Sequence, residues 1–393
     1  MALLQDYKVL FEQNTEIKEI FYQGQRIWPS LPNSKTMPFY VRNMESTSIE
    51  FPIEPGYAYS IVNGEWIHPY ESSIETLSPG AKMLIIWDSQ PRTSIDSSTF
   101  PWPSSNPRTN IGGNIMSLLD GNNFVDLDEV GEYAFTNLFR NKAIDIDDLV
   151  LPATTLNRGC YQQMFWNCTS LTNAPDLPAI ILSSYCYDTM FQSCTSLTTA
   201  PSLPATTLAS YCYSDMFREC TSLVNVPSTL PATTLAEYCY EYMFSSCTSL
   251  VAAPELTATT LANNCYVNMF DNCTSLVTAP ELPATNLVNG CYRYMFAHCS
   301  SLTEAPELPA TNLADRCYEN MFSNCSLLNN APELPATTLA DFCYGQMFEG
   351  CSSLNYIKAM FTTTPSNTYT MNWVYDVSAT GTFVKNSAAQ WNV

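Results

Sequence analysis

The sequence predicts an α+β fold in which a solenoid of short repeats follows a small all-β domain. Three observations predict it. One unit of 26 residues recurs eight times over residues 149–356, its apolar residues keep the same places in every copy, and residues 39–88 alternate β-type runs with turn signals. A fixed period of this length is typical of solenoids, in which each unit buries its apolar side only against its neighbours.

Each copy reads roughly L-P-A-T-x-L-x-x-x-C-Y-x-x-M-F-x-x-C-x-S-L-x-x-A-P-x. In the first copy Cys160, Met164 and Cys168 are four residues apart, which would place them on one stripe of a helix. The prolines and the Ala-Thr-Thr-Leu run favour extended structure in the rest of the unit. We therefore predict short strands plus one short helix per repeat, a build typical of leucine-rich repeats.

The motif C-Y-x-x-M-F-x-x-C-T-S-L-x-x-A-P-E-L-P-A-T-T-L resembles the BspA-like leucine-rich repeats found in surface proteins of gut bacteria. The resemblance covers all eight copies. It implies a curved, right-handed solenoid with a parallel sheet. It also implies a role in adhesion or binding rather than in catalysis.

We predict that residues 1–34 form a docking segment followed by a linker. The stretch I-K-E-I-F-Y-Q-G-Q-R-I-W-P, with a possible hairpin at Gln23-Gly24, resembles the first residues of tail and fibre proteins from phages of gut bacteria. The resemblance implies that residues 1–30 bind other virion proteins. It also implies that a tailed, crAss-like gut phage carries this version of the BspA-like repeats. The alternative is an extra strand pair that packs on the next domain. Residues 29–38, rich in Pro, Ser and Asn, are typical of a linker.

Residues 35–110 predict a small β-sandwich-like domain. Two β-type runs, Tyr57 to Val62 and Glu65 to Ile67, flank Asn63-Gly64, which is the strongest short hairpin signal. Another strand is expected from Lys82 to Trp87, after a Ser-Pro-Gly turn.

The repeats are expected to have a cap at each end. We predict that residues 111–148 form a transition and an N-terminal cap. Residues 134–142 carry a degenerate version of the repeat pattern, with Lys142 in place of the second cysteine. Solenoids need such terminal units. Residues 357–393 carry Thr, Tyr, Trp and Val around a glycine, and they predict a C-terminal β cap.

The charge of the chain limits its partners. The formal net charge is −21, with only 16 Lys and Arg, which argues against nucleic acid and anionic membranes because both are polyanions. No run of roughly 18 apolar residues occurs, so we expect no membrane insertion. The segment after Met1 lacks the features of a secretory signal peptide. A phage protein is released by host lysis and needs no signal, so we expect the chain in the virion.

The sixteen cysteines all lie in the repeats, two in each copy. On a helix the two cysteines of one copy would be about 12 Å apart at about 1.5 Å per residue, beyond the ~7 Å limit for a disulfide. Equivalent cysteines of neighbouring copies would be about 5 Å apart, so bonds between copies are the alternative. We predict reduced, buried ladders. Neither the spacing nor the histidine count fits zinc, and we expect no cofactor.

Catalysis has little support in the sequence. His68 and His298 are the only histidines, and no nucleophile and base can be paired by spacing, so we expect no enzyme. Asp145, Asp147 and Asp148 lack the glycine and the spacing of a calcium loop, and we interpret them as a polar cap.

Two rows of equivalent positions are candidate sites. The first, which we call the acidic row, is Glu255, Glu281, Glu307 and Glu333. A solvated turn edge would explain these like charges, and a divalent cation that bridges neighbouring copies is the sharper alternative. The second set consists of variable, aromatic positions: Trp166, Tyr185, Tyr211, Tyr238, Tyr242, Tyr294 and Phe342. These side chains could stack on sugars or fill pockets of a partner, or they could cover the edge of the core.

These observations lead to one main hypothesis of function. The chain is expected to be a phage virion structural protein, as a tail, fibre or head-decoration subunit. It would be present as a homo-oligomer or in several copies, and it would display its repeats to a glycan or protein of the host cell surface. A bacterial cell-surface adhesin with the same repeats is the alternative, and the missing signal peptide is the feature that separates the two.

Overall fold

The computed structural model describes five stretches of the chain, which are residues 8–12, 16–22, 25–28, 37–61 and 66–391. These stretches consist of strands and turns with almost no helix. The helices among the described residues are Asn367–Thr370, which is α-helical (α1), and Ile115–Leu118 and Phe124–Asp126, which are 3-10 helices.

The first three strands form one antiparallel sheet in chain order. They are β1 (Lys8–Glu12), β2 (Glu16–Tyr22) and β3 (Gln25–Trp28). Strands β2 and β3 pair as the arms of the hairpin that the sequence predicts. The turn at residues 23–24 and most of the predicted linker, residues 29–36, lie outside the described residues.

A five-stranded sheet follows, in the order β11-β9-β4-β8-β6, and β5 pairs with β7 in a separate antiparallel sheet. Their strands are β4 (Tyr40–Asn43), β5 (Ile49–Ile53), β6 (Tyr57–Ile61), β7 (Ser73–Leu77), β8 (Lys82–Trp87), β9 (Thr109–Asn114) and β11 (Ile144–Val150). Tyr59 and Ile67 exchange two backbone hydrogen bonds of 3.1 and 2.9 Å, as the predicted hairpin requires. The Asn63-Gly64 turn itself lies outside the described residues.

The segment predicted as a helix in each repeat is a run of consecutive turns, so that prediction is wrong. In the second copy Tyr185, Thr189 and Ser193 have φ angles of 62°, 59° and 60°. The same left-handed conformation recurs at every fourth residue of this segment in all eight copies. A right-handed α-helix cannot contain such residues at this spacing, because each one reverses the local twist of the backbone.

We call this segment the turn ribbon. The eight ribbons are residues 159–168, 185–194, 211–220, 238–247, 264–273, 290–299, 316–325 and 342–351. Their amides alternate between two kinds of partner. The Asp188 amide donates to the Tyr185 carbonyl at 3.3 Å, within its own ribbon, whereas the Tyr187 amide donates to the Cys212 carbonyl of the next copy at 3.1 Å. Each ribbon is therefore bonded sideways to its neighbour, as a strand is in a sheet.

The inner side of the ribbons forms two continuous stacks of aromatic rings. The inner tyrosines stack at centroid distances of 5.6–6.0 Å, and the inner phenylalanines at 5.3–5.8 Å. The tyrosines are Tyr161, Tyr187, Tyr213, Tyr240, Tyr266, Tyr292, Tyr318 and Tyr344, and all are buried. The buried phenylalanines are Phe165, Phe191, Phe217, Phe244, Phe270, Phe296, Phe322 and Phe348. Successive copies thus share one core.

All sixteen cysteines are free and buried, which confirms the predicted reduced ladders. The second cysteine of each copy also has a bonding role. The Cys273 thiol donates to the Phe244 carbonyl at 3.1 Å, and the same carbonyl accepts the Cys247 amide. Equivalent thiol bonds of 2.9–3.1 Å occur in every copy. Burial raises the pKa of these thiols, to about 12 for Cys168, so they remain protonated donors.

The extended part of each copy pairs in parallel with its neighbours over very short stretches. The named strands are β10 (Glu129–Val130), β12 (Thr155–Leu156), β13 (Thr229–Leu230) and β14 (Glu255–Leu256). Strand β10 pairs with β12, and β13 with β14. Elsewhere only single bridges occur, such as Thr199 with Asn225. The strands are short because each copy carries several prolines, which have no amide to donate.

Incomplete ribbons extend the stack at both ends. Phe135 stacks on Tyr161 at 5.6 Å, which places residues 134–142 one unit before the first full copy. At the other end, the Phe348 amide donates to the Trp373 carbonyl, so residues 368–375 add a further unit where only strands were expected. The closing strands β15 (Tyr356–Ala359) and β16 (Thr382–Lys385) are parallel. One hydrophobic cluster runs from Phe39 to Trp391.

The substitution Phe270→Ala should strongly destabilise the protein. Phe270 is fully buried and lies between Phe244 and Phe296 at 5.6 Å from each. We expect the free energy of unfolding to fall by about 3–5 kcal/mol in urea titrations, as for other large-to-small core changes. Val277→Ala in the same copy is the control, because Val277 is 42% exposed. Equal effects of the two substitutions would contradict a core role for Phe270.

The cysteines should be unreactive in the native protein and reactive once it is unfolded. Because all sixteen are free and buried, a thiol reagent without reductant should label close to none in buffer and close to sixteen in guanidinium chloride. Labelling of only a few cysteines after unfolding would show that disulfides link neighbouring copies.

Candidate binding surface

The candidate aromatic side chains all lie on the outer side of the turn ribbons, and all are half-buried. Six of them occupy left-handed positions, with φ between 52° and 62°: Tyr185, Tyr211, Tyr238, Tyr242, Tyr294 and Phe342. Trp166 precedes such a position, which is held by Asn167. The left-handed conformation costs bulky residues about 1–2 kcal/mol each. Other copies place Asn264 or Gly290 there, and these residue types adopt it more easily.

Three of these residues form a continuous stack that we call the outer tyrosine ladder: Tyr185, Tyr211 and Tyr238. The first two rings are 4.7 Å apart and inclined by 6°, and the next pair is 4.8 Å apart and inclined by 10°. Such contacts stabilise by about 0.5–1.5 kcal/mol each, which offsets part of the backbone strain. Both faces of the Tyr211 ring are covered, so its edge and hydroxyl are what a partner can reach.

Arginine side chains lie against Tyr185, at one end of the ladder, and against the four candidate aromatics outside the ladder. The guanidinium carbon is 3.9–5.5 Å from the ring centroid in the pairs Arg140–Trp166, Arg158–Tyr185, Arg218–Tyr242, Arg293–Tyr294 and Arg316–Phe342. Contacts at these distances are attractive, because a cation interacts favourably with the face of an aromatic ring. The structure thus brings each candidate aromatic against a guanidinium or against another candidate ring.

Carboxylates accompany the ladder in the second, third and fourth copies. The Gln162 amide donates to Asp188 at 2.8 Å, and the Arg218 guanidinium lies 3.0 Å from Asp215. Burial raises the pKa of Asp188 to about 6. Burial, together with the charges of Asp215 and Asp188, raises the pKa of Glu241 to about 7. In this group of carboxylates Arg218 forms an ion pair with Asp215, and Asp188 and Glu241 add negative charge when they are ionised.

The acidic row is exposed along its whole length. The Thr229 hydroxyl donates to Glu255 at 3.1 Å at one end, and Lys358 lies 2.9 Å from Glu333 at the other. A cavity of about 330 Å³ separates Glu307 from Glu333 and is lined largely by prolines. Within the described stretches, no group of three or more His, Cys, Asp or Glu could hold a metal ion. Cation binding by the row remains a prediction.

The remaining candidates lie apart from the ladder. His298 pairs with Asp271 at 2.9 Å on the outer surface, and His68 pairs with Asp88 in the N-terminal sheet region. The Asp145 carboxylate accepts the Thr172 amide and hydroxyl. The hydroxyl of Tyr40, in β4, donates to Asp148, and an Asp147 carboxylate oxygen lies 3.2 Å from the same hydroxyl. The acidic segment thus connects the five-stranded sheet to the first full copy, as a polar cap would.

Sequence reasoning found the aromatic positions but missed their partners. The arginines and carboxylates come mostly from neighbouring copies, so they lie some 26 residues away in sequence. Aligning the copies would have placed Arg218 in the copy that precedes that of Tyr242, and that alignment was the available signal. No helix in the described part of the chain has the length and apolar character needed to cross a membrane.

The stability of the protein should fall as the pH rises from about 5 to about 8. The folded state holds protons on Asp188 and Glu241 up to pKa values of about 6 and about 7, above the ordinary values of 3.8 and 4.5. The unfolded state therefore binds fewer protons in this window, and the stabilisation is lost as the pH rises through the folded-state values. Melting temperatures of Asp188→Asn/Glu241→Gln should depend less on pH than those of the native chain. The exposed pair Glu50→Gln/Glu304→Gln should leave the slope unchanged.

Two solved structures are similar to this chain. A leucine rich cell surface protein from Faecalibacterium prausnitzii A2-165 is 17% identical, with 59% of this chain and 83% of that one covered and a TM-score of 0.21. A leucine-rich repeat protein from Bacteroides ovatus ATCC 8483 is 16% identical, with 66% and 87% covered and a TM-score of 0.20. Scores this low carry no structural argument. No curated protein sequence matches the chain.

A family comparison covers most of the chain. Residues 124–251 and 253–373 match the BspA type leucine rich repeat region, in six copies. The matched stretches amount to more than half of the 393 residues, and they include residues 134–142 and part of residues 368–375, the incomplete ribbons at the two ends. The match is to a repeat region and indicates no catalytic family. The chain therefore belongs to the BspA type leucine-rich repeat family.

Proposed function

We propose that this chain is a structural protein of a phage virion, in the tail, a fibre or the head decoration, whose repeats bind a receptor on the host cell surface. The outer tyrosine ladder is the observation that carries the binding role. Three successive copies hold tyrosine at a left-handed position, where asparagine or glycine is easier to accommodate. Residues that break a local conformational preference are concentrated at functional sites.

The composition of the ladder also suits recognition. Tyrosine supplies a large, rigid contact surface with a polar tip, and it is enriched at protein interfaces. The buried inner stacks and the bonds between ribbons hold these side chains on a rigid support, which reduces the conformational entropy that binding would cost. If several copies of the chain are carried by one particle, weak single contacts would combine into strong attachment.

The N-terminal segment supports the virion location. Its sequence resembles the start of tail and fibre proteins from phages of gut bacteria. Strands β1 to β3 form a sheet of their own, and that sheet precedes the Pro-rich residues 29–38. Such a segment suits attachment of residues 1–30 to other virion proteins.

A bacterial cell-surface adhesin is the second candidate, because membership of the BspA type family supports it equally. The two candidates share the receptor-binding surface and differ in where the chain is displayed. Mass spectrometry of purified phage particles separates them, since the chain must be a stoichiometric component of a particle in the first case.

A chain that lacks residues 1–34 should fold but fail to join the particle. We expect it to keep the melting temperature of the full chain, because strands β1, β2 and β3 pair with one another in one sheet. It should be absent from purified virions when supplied in place of the full chain. Copurification at native stoichiometry would contradict docking through residues 1–30.

The pair Tyr211→Asn/Tyr238→Asn should weaken binding of the labelled full chain to susceptible gut bacteria by roughly tenfold or more, as loss of central aromatic contacts does. Asparagine keeps the left-handed backbone accessible, so the fold should persist. Tyr375→Asn is the control, because Tyr375 is 64% exposed and lies away from the ladder. Flow cytometry of cells with the labelled chain measures the effect. Unchanged binding by the ladder pair would remove the ladder from the receptor site.

A further inference from the structure

We infer that the partner of the outer tyrosine ladder is a basic protein segment, whose lysine or arginine side chains lie across the ladder and bind the carboxylates beside it. This inference rests on the proposed binding role and adds the chemistry of the partner. It is carried by which ring surfaces are accessible and by the charges around them.

The stacking decides which contacts are available. Tyr211 lies between Tyr185 at 4.7 Å and Tyr238 at 4.8 Å, so neither of its faces is free for a sugar ring. Its edge and hydroxyl remain. Lysine and arginine can lay their aliphatic stems along such a row of ring edges while their charged ends reach past it. A sugar ring cannot stack on either face of Tyr211.

The charges next to the ladder favour a cation. The backbone places Glu237 and Glu241 beside the ladder, because the Tyr211 amide donates to the Glu237 carbonyl at 3.2 Å and the Glu241 amide donates to the Tyr238 carbonyl at 3.3 Å. Asp215 and Asp188 in turn contribute to the raised pKa of Glu241. The Asp188 amide donates to the Tyr185 carbonyl at 3.3 Å and the Asp215 amide to the Glu241 carbonyl at 2.8 Å, so four acidic residues adjoin the ladder.

Arg218 is the cation paired with this group in the described part of the chain. It lies 3.0 Å from Asp215 and 3.6 Å from Glu219. A second cation from a partner would relieve the mutual repulsion of the remaining carboxylates.

Basic side chains of the protein itself already lie at this surface. Arg158 is 5.5 Å from the ring centroid of Tyr185, at one end of the ladder, and Arg218 is 4.9 Å from that of Tyr242, beside the ladder. These arginines cover ring faces, so the ring edges and the carboxylates are what a partner's basic groups would contact.

The charge of the whole chain, −21, points the same way. It would attract a basic partner over a distance and repel an anionic one. A second copy of this chain carries the same negative charge, so it is a poor occupant of the ladder.

The test uses the full chain and a fluorescein-labelled oligolysine peptide as the probe. Binding is measured by fluorescence anisotropy at about pH 8. At this pH Asp188 and Glu241 are mostly ionised, since their pKa values are about 6 and about 7. Three variants are compared with the native chain: Asp188→Asn/Glu241→Gln, Tyr211→Asn, and the control Glu50→Gln/Glu304→Gln. The control pair also removes two negative charges, but from exposed positions away from the ladder. Circular dichroism melting verifies that each variant is folded.

We expect each ladder variant to weaken oligolysine binding by roughly tenfold, and the control by less than about twofold. Equal weakening by the ladder and control charge pairs would overturn the inference, because the peptide would then respond only to net charge. A neutral gluco-oligosaccharide that bound the native chain more tightly than oligolysine, and lost binding in Tyr211→Asn, would overturn it in favour of a glycan partner.

The two proposals fail separately. Ladder-dependent peptide binding by a chain that does not bind host cells would contradict the receptor role and keep the inference. The opposite result is that the chain binds host cells through the ladder, that high salt does not weaken this binding, and that the chain does not bind oligolysine. This result would support the receptor role and contradict a basic partner.

Discussion

The alternation of hydrogen bonds along the turn ribbon is the constraint on which the rest of the structure depends. Every second amide must find a carbonyl in the next copy, so a ribbon is satisfied only when a neighbour lies beside it. The bonds fix the lateral spacing of the copies. That spacing in turn allows the inner tyrosines and phenylalanines to stack, and it sets each second cysteine where its thiol can reach a carbonyl of the preceding ribbon. The worn units at both ends follow from the same need, because a terminal ribbon without a neighbour would leave carbonyls unpaired at the N-terminal end and amides unpaired at the C-terminal end.

For the turn ribbons, the sequence predicts correctly which residues are buried, but it predicts the wrong backbone conformation. Both results have one physical reason. The buried residues Cys160, Met164 and Cys168 recur at a period of four. On an α-helix of about 3.6 residues per turn, such a row drifts by about 80° over eight residues, so a short row still looks like one helical stripe. A ribbon with a left-handed residue at every fourth position has no drift at all. The signal that separates the two is the residue type at those positions, for example Asn264, Asn268 and Asn272 in the fifth copy.

The candidate site was predictable to a similar extent. Variable positions of a repeat identify the outer surface, and this reasoning finds Tyr185, Tyr211 and Tyr238 without a structure. It does not show that their rings stack, because stacking depends on the sideways spacing of the ribbons. The same reasoning does not show that Asp188 and Glu241 share a partly buried environment. The burial of a polar position depends on how neighbouring copies pack against one another. The electrostatic character of the surface is a property of the stack, not of one repeat.

The ribbon also explains how recognition can be added without loss of stability. Its backbone bonds and inner side chains satisfy the structural requirements, so most outer positions are restricted only by exposure. The left-handed positions are an exception, because a bulky side chain there costs conformational energy. A single tyrosine at such a position would bear that cost alone. Tyrosines in successive copies stack on one another and recover part of it. The single aromatics Tyr242, Tyr294 and Phe342 lie against arginines instead. Each of the left-handed candidate aromatics is therefore stabilised by a neighbouring ring or by a guanidinium.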